Sequence, residues 1–234
     1  PWVGHPNCWP TATSFPLFIR MPPYFKDRED AGRQLAEAMP QDYRGRDDVI
    51  VLGLPRGGVF VAEQVAKALN APLDVLVVRK LGVPGQKEFA MGAIAPGGVT
   101  ILDEYVVREM GVSREAVDAV REAEQKELDR RLRRYRAGRP ALALAGKTAI
   151  LVDDGLATGS TMQAAVAAAR KSDAAAVVVA VPVSSSEACA LLAAQADAVV
   201  CPFTPPRFLA VGKWYASFPQ TSDEEVCDIL LRRS

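Results

Sequence analysis

Residues 149–165 read AILVDDGLATGSTMQAA, and this stretch decides the fold. An apolar run of strand length, 148–152, ends in two adjacent carboxylates, Asp153 and Asp154. A turn containing Gly155, Thr158, Gly159, Ser160 and Thr161 then leads straight into a helical pattern over 160–171. A glycine-rich turn at a helix N-terminus is an anion site, because backbone N–H groups face outward and the helix dipole favours negative charge. Two acids beside such a cradle repel a phosphate, but they suit hydroxyls or a hydrated magnesium ion. Phosphate, diol and metal together are the chemistry of a sugar phosphate. The plainer alternative is a capped helix, with Thr158 or Ser160 as N-cap and the aspartates as turn residues. A Walker loop is excluded, since no G-K-[ST] follows and the acids precede the glycines.

Working outward, 49–54 (VIVLGL), 73–78 (LDVLVV), 175–183 and 198–201 are further apolar runs of strand length. They are apolar throughout rather than alternating, which predicts strands covered on both faces. Helical patterns fall between or beside them at 27–39, 58–69, 160–171 and 186–195. This order predicts an α/β fold, a doubly wound and mainly parallel five-stranded sheet flanked by helices. Ligands of such sheets bind beyond the carboxyl ends of the strands. One segment breaks the alternation. Residues 113–136 form a highly charged helical pattern with pairs Glu122–Lys126, Glu127–Arg131 and Asp129–Arg133 and a thin seam of Val117, Val120, Leu128, Leu132 and Tyr135. It reads as a solvated helix packed along one edge.

The whole chain has 234 residues, with 28 basic and 28 acidic side chains. That zero balance argues against a mainly electrostatic nucleic-acid or membrane binder. Its apolar runs are too short to span a bilayer. The single histidine, His5, excludes a Ser-His-Asp triad and a histidine metal cluster. The four cysteines, Cys8, Cys189, Cys201 and Cys227, are widely spaced and read as reduced thiols of a cytoplasmic protein. Cys189 and Cys227 are expected in the core. Residues 1–20, with four prolines and no period, read as an irregular N-terminal extension. Residues 21–234 form a single domain.

Two more loops carry ligand chemistry. Leu54-Pro55-Arg56-Gly57-Gly58 follows the first strand and offers close backbone approach plus a guanidinium. Arg79 and Lys80 end the next run, where two cations need an anionic partner. The following residues, through Gly82, Pro84, Gly85, Gln86, Lys87, Glu88 and Phe89, read as a mobile loop.

The stretch 149–165 resembles the 5-phosphoribosyl 1-diphosphate (PRPP) signature of type I phosphoribosyltransferases, an apolar strand, two acids, a short spacer and T-G-[GS]-[ST]. The resemblance implies that Asp153 and Asp154 hold the ribose hydroxyls, directly or around Mg²⁺, and that Ala157, Thr158, Gly159, Ser160 and Thr161 bind the 5′-phosphate. By the same resemblance Pro55, Arg56, Gly57 and Gly58 form the pyrophosphate loop. Arg79, Lys80, Lys87 and Glu88 belong to the flexible catalytic loop. The substrate-specific hood combines 21–45 with 202–220, and 113–136 is an inserted helix. The implied activity is Mg²⁺-dependent transfer of the phosphoribosyl group to a nitrogen acceptor, a nucleobase, with release of diphosphate, within nucleotide metabolism. Ala157 departs from the family's 6-oxopurine members, which carry an aspartate there. Glu88-Phe89 is similar to a Glu-aromatic pair of the adenine enzymes. One of the five hood aromatics, Phe203, Phe208, Trp214, Tyr215 or Phe218, could stack on a base, or all could form a small core of their own. The alternative function is a non-catalytic PRPP-binding regulatory protein. The resemblance also admits a homodimer.

Overall fold

In the computed structural model, the described residues are 24–139 and 142–233. The stretch 1–20, expected to be an irregular extension, lies outside them, as do residues 21–23 at the start of the expected hood. Five parallel strands form the central sheet: β1 (Val49–Gly53), β2 (Leu73–Val75), β6 (Thr148–Val152), β7 (Ala176–Ala180) and β8 (Ala198–Val200), in the order β2-β1-β6-β7-β8. Their continuous apolar character has the expected cause. Val51, Ile150 and Val178 are register partners on one face, while Leu52, Leu151 and Val179 are partners on the other. The two sets belong to separate buried clusters. The first is covered by α1 (Arg28–Ala38), α2 (Gly57–Leu69), α4 (Arg114–Tyr135) and α7 (Asp223–Arg232). The second is covered chiefly by α5 (Ser160–Lys171) and α6 (Ser186–Ala193). The run at 175–183 stops pairing early as a strand because Pro182 has no N–H to give a ladder.

The expected mobile loop is instead an antiparallel sheet of β3 (Arg79–Val83), β4 (Gln86–Ala95) and β5 (Val99–Leu102). Strand β2 ends at Val75, so Arg79 and Lys80 open β3 rather than close a parallel strand. The turn holds Pro84 and Gly85, the latter at φ +81°, which glycine accepts without cost. Leu81, Val83, Met91 and Ile94 are buried in the first cluster, which anchors both arms of this hairpin.

A short helix, α3 (Glu104–Glu109), leads into α4. The seam residues Val117, Leu128 and Tyr135 are buried, and Arg131 Nε meets Glu127 at 2.8 Å. Helix α4 is tied to α7, where the Tyr135 hydroxyl donates to Asp223 at 2.5 Å and Arg134 pairs with Glu224. Cys189 and Cys227 are half-buried rather than in the core. The core-facing positions of their helices are filled by Ala188 and Leu192 in α6 and by Val226, Ile229 and Leu230 in α7. Among the described residues no helix is long and apolar enough to cross a membrane.

Candidate active site

Strands β1 and β6 are neighbours, so the loops beyond their carboxyl ends meet. Leu54 N–H donates to the Val152 carbonyl at 2.8 Å and fixes the two exits together. The peptide joining Pro55 to Arg56 is cis. Gly57 and Gly58 then start α2 directly against the acid pair. A Cβ on Gly57 would stand 1.9 Å from Asp154 Oδ2, and one on Gly58 would stand 2.7 Å from the Val152 carbonyl. Only glycine permits this approach. The Arg56 side chain is exposed at the head of α2.

The two acids have different surroundings. Asp153 lines a cavity of about 190 Å³ together with Lys80, Gly155, Thr158, Ser160, Thr161 and Val211. Burial, and then the charge of Asp154, push its carboxyl well above the usual range. Asp154 turns away from that cavity. Its Oδ2 accepts from Arg28 Nε at 2.8 Å, and its carbonyl accepts from the Tyr215 hydroxyl at 2.5 Å. Burial raises Asp154 as well, and the Arg28 guanidinium opposes the rise. Arg28 is itself held by the Pro219 carbonyl, 2.8 Å from Nη1, and lies 3.8 Å over the Phe218 ring.

The phosphate-type loop ends on Gly159, at φ +76°, as the N-cap of α5, with no side-chain cap hydrogen bond. The expected alternative of a Thr158 or Ser160 cap is therefore not what the fold adopts. Among the described residues the first-turn N–H groups of α5 have no intrahelical or side-chain partner, which is the arrangement that receives an anion. The hydroxyls of Thr158 and Ser160 lie 3.2 Å apart above them. From below, the Ser185 hydroxyl donates to the Ala157 carbonyl at 2.8 Å, and Leu156 N–H donates to the Val183 carbonyl at 3.0 Å.

A second cavity, of about 470 Å³, adjoins the first at Lys80 and Thr161 and extends to Pro55, Arg79 and α4. Arg79 lines this cavity but is not an unpaired cation. Its Nη2 and Nε sit 2.6 and 2.7 Å from Glu124 on α4, so its charge already has a protein partner. Lys87 and Glu88 lie on the backbone of β4, and their side chains fall outside what is described.

Residues 24–27 and 203–217 pack together over the acid pair. Phe25 N–H donates to the Trp214 carbonyl at 2.9 Å, and Ala216 N–H returns to the Phe25 carbonyl at 2.8 Å. Their aromatics pack on one another: Tyr24 stacks on Phe203 at 4.1 Å, Phe203 meets Trp214 edge-on, and Phe25 packs on Tyr215. Four of the five expected hood aromatics, Phe203, Phe208, Trp214 and Tyr215, join a small cluster with Phe25, whereas Phe218 stays outside it and is exposed. Sequence reasoning missed Arg28 and Ser185, and it named Tyr215 as a hood aromatic without its hydrogen bond to Asp154. Arg28 stands 126 positions from Asp154 in an ordinary helix start, so nothing local marks it. Among the described residues no group of three or more His, Cys, Asp or Glu side chains could hold a metal alone.

Comparison with known proteins agrees with this geometry. Residues 25–204 match the phosphoribosyl transferase domain family. A protein of Mycobacterium tuberculosis, provisionally named a phosphoribosyl transferase and present in strains H37Rv and CDC 1551, is 53% identical over 208 residues, covering 89% of this chain. The chain spans 46% of the length of that relative. The crystal structure of TT1426 from Thermus thermophilus superposes with a TM-score of 0.77 at 43% identity, covering 90% of this chain and 99% of that one. With its acid pair, phosphate-type loop and parallel sheet in that company, the chain belongs to the phosphoribosyl transferase domain family.

Proposed function

We propose that this protein transfers the 5-phosphoribosyl group of PRPP to a nitrogen acceptor and releases diphosphate. One observation carries the reading: the uncapped N-terminus of α5, Lys80 and the Asp153 carboxylate all face a single cavity. The α5 N–H groups with Thr158, Gly159, Ser160 and Thr161 hold the 5′-phosphate. Asp153 receives the ribose hydroxyls, and Asp154 supports it from the Arg28 side. Pro55, Arg56, Gly57 and Gly58 bring backbone and one guanidinium to the diphosphate. Lys80 lies between the two anionic ends.

A magnesium ion fits this donor set. Asp153 is a buried carboxylate that, among the described residues, has no cation in hydrogen-bond contact, and a divalent ion shared with substrate oxygens needs only one or two protein carboxylates. When bound, magnesium supplies charge neutralisation for the departing diphosphate. The protein contributes positioning, exclusion of water and fixed positive charge.

The acceptor in this reading is a nucleobase, and Ala157 narrows it. A 6-oxopurine must share or lose a ring proton as the glycosidic bond forms, and an alanine side chain accepts none. Glu88, with Lys87 beside it on β4, is the remaining acid assigned to the acceptor. The protein acts in the cytoplasm, in nucleotide metabolism. The test is diphosphate release on mixing with PRPP, Mg²⁺ and a panel of bases. Release with an amino-substituted base, absence of turnover with hypoxanthine, guanine or xanthine, and loss of turnover in Glu88→Gln are expected. Efficient use of guanine or hypoxanthine overturns the Ala157 argument. PRPP binding without release on any base identifies a PRPP-binding regulatory protein instead.

A further inference from the structure

A 22-residue helix, α4, separates β5 from β6, and it forms one wall of the larger cavity beside the phosphate-type loop. That cavity opens at Pro55, where the pyrophosphate-type loop starts, and at Thr161, where the 5′-phosphate loop ends. Lys80 lines both this cavity and the smaller one, so the two are joined at its side chain. The charged groups on the larger cavity are Arg79, Lys80, Arg131 and Glu124. Three cations and one carboxylate line it, and the two carboxylates that offset Arg131, those of Glu127 and Asp223, are not on its wall.

These cations are not equivalent. Arg79 is engaged through two of its nitrogens by Glu124. Arg131 is hydrogen-bonded through one nitrogen and also lies within the field of Asp223 on α7. Its Nε donates to Glu127 Oε1 at 2.8 Å, and Glu127 is in turn held by Arg130 through contacts of 2.7 and 2.9 Å. The Arg131 side chain is 16% exposed, yet among the described residues its two Nη nitrogens have no hydrogen-bond partner. These two nitrogens are not among the buried atoms left without a partner, so solvent reaches them, and a guanidinium fork open in this way suits an anion with paired oxygens.

We propose that Arg131, on the inserted helix α4, is a diphosphate-binding residue. Its side chain lines the larger cavity, where the anionic leaving group would lie, while Arg79 acts through Glu124 as a positioning residue for the α4 wall. This inference rests on the reading of PRPP as substrate. If the 5′-phosphate lies at Thr158–Thr161, the second anionic end of the same molecule extends past Lys80 into this cavity. Residues of the sheet and its loops would then bind the ribose phosphate half, and an element outside the sheet would complete the diphosphate half.

The experiment separates the halves by calorimetric titration with two probes, inorganic diphosphate and ribose 5-phosphate, each with Mg²⁺, into wild type, Arg131→Met and Arg131→Lys. Arg131→Met is expected to weaken diphosphate about tenfold or more, the effect of losing a charge-assisted pair of hydrogen bonds. Ribose 5-phosphate should change by less than about twofold, and Arg131→Lys should fall between. Equal loss for both probes means a structural role and overturns the inference. So does an unchanged diphosphate affinity in Arg131→Met, or no diphosphate binding by the wild type. If Arg131→Met does not fold, Arg131→Lys decides, by the same selective loss. Absence of PRPP turnover, alongside the expected diphosphate selectivity, would remove the transfer reading and leave the diphosphate site standing.

Discussion

Asp153 and Asp154 are neighbours in the chain with opposite tasks, and the difference is one of environment. Asp154 has the Arg28 guanidinium at 2.8 Å, whereas Asp153 faces the cavity with no cation in contact among the described residues. Burial and the adjacent charge therefore raise the Asp153 carboxyl well above its unfolded value. A raised folded value means that folding favours the neutral form. The contribution to stability is complete below the unfolded value, near pH 4, and is lost as pH rises through the folded one. Asp153→Asn keeps the oxygen that accepts from Asp154 N–H at 2.8 Å and removes the charge. The variant is expected to melt higher than wild type at pH 7–8 without ligand, and alike near pH 4. A gain on the order of 1 kcal/mol corresponds to about 2–4 °C in a domain of this size. The same variant should lose PRPP binding by calorimetry. Thermal melts showing no gain at pH 7, with PRPP affinity intact, would remove Asp153 from the site.

Among the elements, the β3–β4 hairpin departs furthest from the sequence reading. Proline and glycine in 79–89 mark its turn correctly. They hide the alternate residues Leu81 and Val83, which share a buried cluster with Met91 and Ile94 further along the chain. Alternation over so few residues, with two irregularities of register after Leu81, carries little periodic signal. The five parallel strands were legible for the opposite reason, because both-face burial makes each a compact apolar run. A buried, paired hairpin should exchange slowly at its base. Amides of Leu81 and Ile94 are expected to be protected without ligand, and those of Gly85 and Gln86 at the turn to exchange at least about tenfold faster. Uniformly fast exchange from Arg79 to Phe89 in the free protein would restore the mobile loop. The phosphate-type loop was legible because all its parts are consecutive. The Arg79–Glu124 and Arg131–Glu127 pairs were not equally so. The second is an i, i+4 pair, and the first joins two elements 45 residues apart.

At the scale of the whole molecule, Arg28 links three parts that share no sequence neighbourhood. It joins the start of α1, the acid pair at the end of β6, and residues 218–219 of the covering segment. The neighbouring Tyr215 hydroxyl reaches the Asp154 carbonyl, so both the side chain and the backbone of Asp154 are tied to the cover. The side chains of Arg28 and Asp154 are only 10% and 15% exposed, which leaves little water to replace either partner. Removing one member of such a pair strands the other and costs about 3–5 kcal/mol, more than the pair itself contributes over an apolar replacement. In Arg28→Met, Asp154 keeps its burial and loses the charge that opposes its rise, so its folded value moves further up. The variant can relieve this by protonating Asp154 in mild acid but not in base, and stability is therefore lost progressively as pH rises. Urea denaturation is expected to show a larger deficit relative to wild type at pH 8 than at pH 5. Limited proteolysis should cut first within 203–219, while the five-stranded core stays protected. A deficit equal at both pH values would mean that Arg28 contributes packing on Phe218 and its bond to the Pro219 carbonyl, and that Asp154 is not held by its charge.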